Sequence, residues 1–470
     1  MLDSNQQKTI FFTISTPIAV RNFFLVPGGV LDSLRKHHVK VVVLVTEQAY
    51  EEMNKDFGAE NVIIEPTVIY WNKTFSQRIV DFFTRYLNFT DLMRSNATNK
   101  GTRIDISYDV RKRFTYFVKA SIAATLGRSS WIRNVLAPRL SFFVYHTRPY
   151  RYLFDKYKPD LVFVSSALAD QGLEVLREAK RQGVYSIGMS ESWDHFPKRY
   201  EPIRPNRILV WHETSGNEAV TLQDYKKKEV HVVGAPQYDL FSKKEFLLSR
   251  DEFFSKCGLD SNKKLVTLFS STIYSPDDKD IVKILLDFLI NKQSVVEYNL
   301  FIRPYPGAKY EQDKFSEFDR KKGIYVDWVE SKNLWGTASH RWYPDQDGFI
   351  WTINILFHSD IIINTYSSVS IEASAFLKPI ININFDGYKK RPPEKSIKRF
   401  EQTLTHFKHV LKTDAVRQAN SEQELLQYLN EFFNNPDANR SNVEKLRTKM
   451  CGTIDGKAGQ RIVEHIMKML

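Results

Sequence analysis

Short apolar runs alternate with amphipathic stretches along the chain. In the first two hundred residues the stretch GLEVLREAKRQG has the spacing of an amphipathic helix. The apolar runs are almost continuous, which is typical of parallel strands buried on both faces. They predict strands at Lys8–Ser15, Lys40–Thr46, Asn61–Ile64, Asp160–Ser165, Tyr185–Ser190 and Arg207–Trp211. This alternation of strand and helix predicts a doubly wound α/β domain.

A second series of the same kind follows residue 235. Its apolar runs predict strands at Lys264–Ser270, Tyr298–Arg303, Ile324–Trp328, Asp360–Asn364 and Pro379–Asn384, with helices at Ile281–Ile290, Glu422–Phe433 and Gln460–Leu470. We therefore predict two Rossmann-like domains, residues 1–235 and 236–470, facing each other across a cleft. Open α/β sheets bind ligands at the carboxyl ends of their strands, so the cleft is the expected ligand site.

A basic and aromatic segment interrupts the first domain. Residues 71–150 hold fourteen Lys and Arg against four Asp and no Glu, a net charge of +10, whereas all 470 residues carry +12. We predict a helical insertion, and two interpretations of its surface stay open: peripheral contact with an anionic membrane, or an ordinary solvated face. The segment carries none of the common nucleic-acid-binding motifs, so we expect no nucleic-acid partner.

The sequence carries no signal for export or membrane insertion. No apolar run approaches the roughly 20 residues that span a bilayer, and MLDSNQQKTIFF lacks the features of a signal peptide. Cys257 and Cys451 are far apart, which excludes a disulfide framework and zinc-ligand spacing. We expect a cytoplasmic protein in a reducing environment, which rests on the inner face of the membrane if the insertion binds lipid.

The stretch NTYSSVSIEASAFLKPIINI places polar residues where a strand becomes a helix. A helix that begins at Ser367 or Ser368 offers free backbone N–H groups, which suit a phosphate. Glu372 follows Ser368 by four residues and shares its face, where a carboxylate can accept hydrogen bonds from a ribose diol. These residues predict a nucleotide diphosphate site. The alternative is an ordinary N-cap, although a capping box needs its acid at Ser370 or Ile371.

This stretch resembles the nucleotide-binding signature of GT-B glycosyltransferases, in which a Ser/Gly-rich turn precedes a helix bearing a Glu. It also resembles the Asp-Tyr-Ser-Ser motif of CDP-glycerol glycerophosphotransferases, which share the GT-B architecture. Thr365 stands where that motif has its first acid, and Glu372 stands in place of an Asp. These departures favour a sugar transferase over a glycerophosphate transferase.

Three more stretches are similar to the same superfamily. FIRPYPGAK resembles its Arg/Lys-x-His-Pro loop, with Arg303 as the implied phosphate clamp and Tyr305 where His is usual. VVGAPQYD, which ends at Asp239, resembles the segment that begins the donor domain. LFSSTIY supplies a Ser/Thr-rich turn in which Ser271 and Thr272 are expected to contact phosphate.

The acceptor side is expected in the first domain. A transferase that inverts the sugar needs a base to deprotonate the acceptor hydroxyl. Our candidates are Asp170, which follows a strand, and Asp194 and His195 in the stretch SESWDHF. Further candidates are Glu191 in that stretch and the pair His212 and Glu213. Arg21 and Asn22, expected in the loop after the first strand, are placed to contact an acceptor or a diphosphate. The alternative for the acids and histidines is a helix cap or a surface loop.

The resemblance implies a metal-independent GT-B glycosyltransferase that moves a sugar from a nucleotide-activated donor to a glycan or lipid-linked acceptor in surface polysaccharide synthesis. We expect no cofactor beyond the nucleotide-sugar co-substrate and no metal. Asp345-Gln346-Asp347 is interpreted as the entry of a helix rather than a metal motif. Three alternatives stay open: a CDP-glycerol-type glycerophosphotransferase, a UDP-sugar 2-epimerase and a non-catalytic binding protein.

Overall fold

The computed structural model contains two parallel β-sheets, each covered by helices, and confirms the predicted pair of Rossmann-like domains. It describes residues 7–68, 72–88, 90, 93, 110–166, 169–271, 277–291, 293–305, 314–319, 321–328, 345–393 and 395–470.

The first sheet has seven strands in the order β3-β2-β1-β4-β5-β6-β7, and all of its pairings are parallel. Phe11 on the central strand pairs with Val42 on one side and Val162 on the other, and all three are fully buried. The strands are β1 Thr9–Thr13, β2 Lys40–Thr46, β3 Val62–Thr67, β4 Leu161–Val164, β5 Tyr185–Met189, β6 Arg207–Val210 and β7 Val230–Val232. The sequence did not predict β7, because it is a three-residue edge strand with partly exposed side chains.

The second sheet has six parallel strands in the order β10-β9-β8-β11-β12-β13. They are β8 Lys264–Phe269, β9 Tyr298–Arg303, β10 Ile324–Val326, β11 Ile361–Asn364, β12 Ile380–Ile383 and β13 Val416–Ala419. The sequence missed β13, whose residues Val-Arg-Gln-Ala are half polar because it lies at the edge of the sheet.

Helices connect the strands of both sheets. In the first part of the chain they are α1 Pro17–Phe23, α2 Val30–Lys36, α3 Tyr50–Phe57, α4 Phe75–Arg85, α5 Val110–Ala124, α6 Ala137–Val144, α7 Arg151–Tyr157, α8 Asp170–Gln182 and α9 Glu213–Gln223. In the second part they are α10 Arg250–Cys257, α11 Asp278–Ile290, α12 Gln346–His358, α13 Val369–Ala375, α14 Phe400–Thr403, α15 Lys408–Leu411, α16 Glu422–Asn434, α17 Arg440–Met450 and α18 Ala458–Met467. Within the described ranges, none of these helices combines the length and the apolar character that crossing a bilayer requires.

Where the structure describes the basic insertion, it is helical, as predicted. Thr74 caps α4 through a capping box with Gln77, and α4 packs against α6. Several large aromatic side chains of the insertion face solvent: Phe75, Phe83, Phe114, Phe117, Trp131 and Phe143.

The prediction that Arg21 and Asn22 lie in a loop is wrong, because both belong to α1. The hydroxyl of Thr16 accepts a hydrogen bond from the Ala19 N–H at 3.2 Å, and Pro17 occupies the first helical position. A capping hydroxyl followed by proline starts a helix directly after β1.

The interpretation of Asp345-Gln346-Asp347 as a helix entry agrees with the structure. Asp345 is the N-cap of α12, and its Oδ1 accepts from the backbone N–H of Gly348 at 2.6 Å.

The last helix of the chain returns to the first domain. The buried carboxylate of Asp239 accepts hydrogen bonds from the backbone N–H groups of Ala458 at 2.9 Å and Gly459 at 2.7 Å, at the start of α18. Farther along α18, the Nδ1 of His465 lies 3.2 Å from Nη1 of Arg207, which begins β6. The first sheet ends at residue 232 and the second begins at residue 264, and the boundary near residue 235 stays a prediction.

A buried acid also joins the two halves. Oε1 of Glu218 on α9 lies 3.7 Å from Nε2 of His409 on α15, and Oε2 of Glu218 is buried with no hydrogen-bond partner among the described residues. Burial, helped by the negative charge of Asp194, raises the pKa of Glu218 from 4.5 to about 8. The folded protein therefore holds this carboxyl in its neutral form near pH 7.

The raised pKa predicts a pH-dependent stability. In the unfolded chain Glu218 ionises near its ordinary pKa of 4.5, so its contribution to folding is complete below that pH and is lost as pH rises through about 8. We expect Glu218→Gln to raise the free energy of unfolding by about 1 kcal/mol or more at pH 9, and by little at pH 5. Urea titrations at both pH values measure this difference.

The control is Glu213→Gln, which changes an exposed acid of the same helix. An equal effect of Glu218→Gln at both pH values would contradict the buried, neutral state of Glu218.

Candidate functional site

The two domains face each other through an ion pair between short helices. Nη1 of Arg21 on α1 lies 3.5 Å from Oε1 of Glu372 on α13, and both side chains are largely buried. Burial raises the pKa of the Glu372 carboxyl, while the Arg21 charge and hydrogen bond act in the opposite direction. The Arg21 guanidinium also lies over the ring of Phe349, 5.8 Å from its centre. Glu372, the predicted ribose reader, thus lies in the cleft with a cation of the first domain as its partner.

The turn before α13 is held in an unusual conformation. Tyr366 has a left-handed backbone, with φ of 46°. Its backbone N–H donates to Oδ1 of Asn382 at 2.6 Å, and its hydroxyl donates to Oδ1 of Asn384 at 2.8 Å. Both asparagines belong to β12 or follow it directly. Side chains of the neighbouring strand therefore fix the chain just where β11 ends, and such strain is concentrated at functional sites.

The serines after Tyr366 are not explained by helix capping alone. The Ser367 hydroxyl accepts from the backbone N–H of Val369 at 3.3 Å. Ser368, the N-cap, makes no side-chain capping bond and is exposed to solvent. Their predicted contacts with phosphate stay a prediction.

Ser271 connects the ends of two neighbouring strands. Its hydroxyl donates to the carbonyl of Thr365 at 2.7 Å, and its N–H donates to Oδ2 of Asp278 at 3.0 Å. These bonds join the turn after β8 to the turn after β11. Thr272, its predicted partner in phosphate binding, lies outside the described residues.

Arg303 ends β9, as predicted, but its guanidinium is already paired. Nη1 donates to the largely buried carboxylate of Asp327, and Nη2 donates to the Thr352 hydroxyl at 3.2 Å. The indole N–H of Trp351 also donates to Asp327, at 3.2 Å. The role of Arg303 as a phosphate clamp stays a prediction that these contacts do not favour.

Asp194 is poorly suited to act as a base. Its Oδ1 accepts from the Ser192 hydroxyl at 2.6 Å and pairs with Lys198 Nζ at 3.0 Å. Burial acts to raise the pKa of Asp194, but the charges of Lys198 and His406 and the bond from Ser192 outweigh it and hold that pKa below its ordinary value. A carboxylate with so low a pKa accepts a proton weakly.

The other two predicted catalytic residues are engaged by other side chains. His195 is buried, with Nε2 at 2.9 Å from Oε1 of the equally buried Glu201. Asp170 is the first residue of α8, where its carboxylate pairs with Lys73 Nζ at 3.1 Å beneath the insertion. Catalytic roles for both stay predictions, and this placement does not favour them.

His212, a further candidate, caps a helix in the structure. Its Nδ1 accepts from the N–H of Ser215 at the start of α9, at 3.2 Å. Burial, with the nearby His409 and Lys449, lowers the pKa of His212 to about 4, so the ring is neutral at pH 7.

Glu191 follows β5 and belongs to the first domain. It lies beside α1, the helix that contacts Glu372 through Arg21. The Thr16 hydroxyl donates to its Oε1, and the Asn22 side chain donates to its backbone carbonyl at 3.2 Å. Asn22 follows Arg21 on α1, so Glu191 lies close to the contact between the domains. The sequence analysis missed Thr16, whose signal is the Thr-Pro pair that opens α1.

In the described part of the chain, no group of three or more His, Cys, Asp or Glu side chains is arranged to hold a metal ion. The metal independence of the reaction stays a prediction.

Comparison with known proteins identifies relatives of this architecture. The family model described as CDP-Glycerol:Poly(glycerophosphate) glycerophosphotransferase matches residues 212–468, more than half of the chain. No curated protein sequence matches.

Solved structures share the fold at low identity. UDP-GlcNAc 2-epimerase from Neisseria meningitidis bound to UDP-GlcNAc is 12% identical with a TM-score of 0.53, covering 98% of this chain and 100% of that one. A variant of the wall teichoic acid polymerase TagF soaked with CDPG is 11% identical with a TM-score of 0.53, covering 98% and 88%. These likenesses show the fold alone.

The family match extends from the end of the first sheet through the whole second sheet and includes the strained turn at Tyr366. It favours the glycerophosphotransferase alternative of the sequence analysis and leaves the sugar donor untested. The chain belongs to the CDP-glycerol:poly(glycerophosphate) glycerophosphotransferase family and is a transferase.

Proposed function

We propose that this transferase moves a polyol-phosphate group from a CDP-activated polyol, such as CDP-glycerol, to the hydroxyl end of a glycan or lipid-linked polymer. The observation that carries this proposal is the family match across residues 212–468. The TagF variant, which shares the fold, was soaked with CDPG, and this supports a donor of the same chemistry.

In this reaction the acceptor oxygen bonds to the phosphorus that carries the polyol. The bond between that phosphorus and the bridging oxygen breaks, CMP leaves, and a base takes the hydroxyl proton. In the proposed site the turn at residues 364–368 faces the diphosphate, and Glu372 accepts hydrogen bonds from the ribose diol. Glu372 would exchange its 3.5 Å contact with Arg21 for the ribose, which frees a cation for the diphosphate.

A nucleotide-sugar donor is the second candidate. Thr365 and Glu372 depart from the glycerophosphotransferase motif, and a Glu after a Ser-rich turn is typical of sugar transferases. The two reactions differ in their products, because sugar transfer breaks the bond to the anomeric carbon and releases a nucleoside diphosphate, whereas polyol-phosphate transfer releases CMP.

We propose Glu191 as the base that deprotonates the acceptor hydroxyl. It lies at the carboxyl end of β5, and the Thr16 hydroxyl orients its carboxylate. Of the alternatives, Asp194 is held ionised by Lys198, and His195 is buried against Glu201. Glu191 can therefore accept a proton without breaking an ion pair.

The aromatic face of the insertion supports a contact with anionic lipid, where a lipid-linked acceptor would lie. Phe75 on α4 and Phe143 on α6 are each 79% exposed, on two helices that pack together. Aromatic side chains within a strongly basic segment match the chemistry of an anionic membrane surface.

Nucleotide binding is expected to depend on Glu372. We expect CDP-glycerol at about 100 times its Kd to raise the Tm of the wild-type protein by ~5 °C or more, and UDP-GlcNAc to raise it little. Glu372→Gln should remove most of this shift, because an amide replaces an acceptor of two ribose hydrogen bonds. The control is Glu401→Gln, an exposed acid in α14. A shift with UDP-GlcNAc alone would favour the sugar donor, and no shift with any nucleotide would contradict both candidates.

Loss of the base should slow turnover without affecting donor binding. We expect Glu191→Gln to lower kcat by about 100-fold or more while the CDP-glycerol thermal shift is retained. Asp194→Asn, in the same loop, should cost much less, because its carboxylate is a weak base. CMP release from CDP-glycerol with a polymer acceptor measures both, and the opposite order of effects would assign the base to Asp194.

Membrane binding should require the exposed aromatic residues. We expect the Phe75→Ser, Phe143→Ser double variant to lose flotation with liposomes that contain anionic lipid. The control is Tyr388→Ser, which removes a 53% exposed aromatic side chain of the second domain. Equal recovery of the wild-type protein on neutral and anionic liposomes would reject an electrostatic membrane contact.

A further inference from the structure

A cavity of about 690 Å³ lies between the insertion and the first sheet. Its wall is formed by α4, by residues 145–150, by the start of α8 and by residues 199–202. The cavity lies at the carboxyl ends of the strands, because the Gln171 side chain, part of the wall, donates to the carbonyl of Leu44 on β2 at 3.2 Å and to the hydroxyl of Thr67 on β3 at 2.7 Å.

Gln171 also connects this cavity to the cleft. Its Oε1 accepts from the Ser15 hydroxyl at 2.7 Å. The next residue, Thr16, donates to Glu191. Two hydrogen bonds and one peptide unit therefore separate the cavity wall from the proposed base, and one extended ligand could contact both.

Each acid of the cavity wall already has a partner side chain. Lys73 pairs with Asp81 at 2.8 Å and with Asp170 at 3.1 Å. Arg177 pairs with Glu174 at 2.9 Å. The fourth acid, Glu201, is paired with His195 and accepts from the Tyr225 hydroxyl at 3.0 Å.

Three cations of the wall have no acidic partner among the described residues: Arg78, Arg85 and Arg199. The Nη2 atom of Arg199 is buried and makes no hydrogen bond within that part of the chain. Burial lowers the pKa of Arg199, and the neighbouring positive charge of Arg85 adds to this effect, whereas carboxylates of the wall act in the opposite direction. Two cations that repel each other in a partly enclosed space are stabilised most by a bound anion.

The aromatic residues of the cavity wall suit a ligand that carries a polyol or sugar unit in addition to its anionic group. Phe82 and Tyr86 stand edge to face, with ring centres 5.1 Å apart, and both line the cavity. Aromatic rings pack against the C–H groups of a polyol or sugar, whereas Arg guanidinium groups bind phosphate oxygens. The volume of the cavity is in the range of small-ligand sites.

We propose that this cavity binds a phosphodiester of the acceptor polymer, with its phosphate on Arg85 and Arg199 and its polyol or sugar unit against Phe82 and Tyr86. The inference rests on the proposed function and deepens it, because it places a phosphodiester of the acceptor in a cavity of the first domain, apart from the donor site. Through Gln171 and Ser15 the bound unit lies beside Glu191, so the terminal hydroxyl of the same chain can reach the proposed base.

The test is calorimetric titration of the full-length protein with glycerophosphoglycerol as the diester probe, beside inorganic phosphate and glycerol. We expect the diester to bind, inorganic phosphate to bind more weakly and glycerol not to bind. Arg85→Gln and Arg199→Gln should each weaken diester binding by about tenfold or more, the loss expected for one charge-assisted phosphate contact. Arg85→Lys should retain most of the affinity, because the charge remains.

The matched control is Arg151→Gln, which changes a 60% exposed arginine outside the cavity. Because Arg85 is exposed, its variant is expected to fold normally even if Arg199→Gln does not. The proposal is overturned if the wild-type protein does not bind the diester, if Arg85→Gln binds it as tightly as wild type, or if inorganic phosphate binds as tightly as the diester.

The same samples are titrated with CDP-glycerol, which separates this proposal from the proposed function. Arginine-dependent diester binding in a protein that does not bind CDP-glycerol would support the cavity and reject the donor. CDP-glycerol binding without diester binding would support the donor and reject the cavity.

Discussion

The buried carboxylate of Asp239 holds the last helix of the chain against the segment that connects the two sheets. It accepts hydrogen bonds from two backbone N–H groups at the start of α18, and this helix also contacts the start of β6 in the first sheet. Burial raises the pKa of Asp239, and the two backbone bonds oppose that effect. A Cβ at Gly459 would lie 3.2 Å from Cα of Gly29, closer than ordinary van der Waals contact, so glycine at this position favours the close approach of α18 to the start of α2. Everything proposed for the cleft depends on the two domains being held in this relation.

Because the two domains are held together in this way, the carboxyl ends of both sheets place polar groups in one region. Parallel strands place their C-terminal turns on the same edge, and helices that begin there present backbone N–H groups. The second domain contributes a rigid turn, because Asn382 and Asn384 hold Tyr366 in its left-handed conformation. The first domain contributes Arg21 from α1 and Glu191, which lies beside that helix. The Arg21–Glu372 pair links the two domains directly, and it occupies the position in which we propose ribose to bind.

The insertion has two surfaces that differ in their exposed side chains and in their charge. Its outer face carries exposed aromatic side chains among basic residues, whereas its inner face closes a cavity in which arginines outnumber the acids able to pair with them. A lipid-linked, phosphate-rich polymer would meet both surfaces, because its anchor stays in the membrane while its growing end enters the protein. The net charge of +10 in residues 71–150 is thus consistent with one acceptor recognised at two places.

The sequence by itself determined the strands, the helix at residues 369–375 and the two-domain fold, because continuous apolar runs can be buried only in parallel sheets covered on both faces. It also located the turn at residues 364–368 and the basic insertion, since both are local patterns. It did not predict β7 and β13, because both are short edge strands with partly exposed side chains and neither forms a long apolar run. Only the tertiary structure decided the partners of the polar residues. Asp327 pairs with Arg303, Glu201 with His195 and Lys73 with Asp170, although 24, 6 and 97 residues separate them in the chain. A charged residue looks the same in the sequence whether its partner is another side chain or a ligand, because that choice depends on which distant segments the fold brings within about 3 Å.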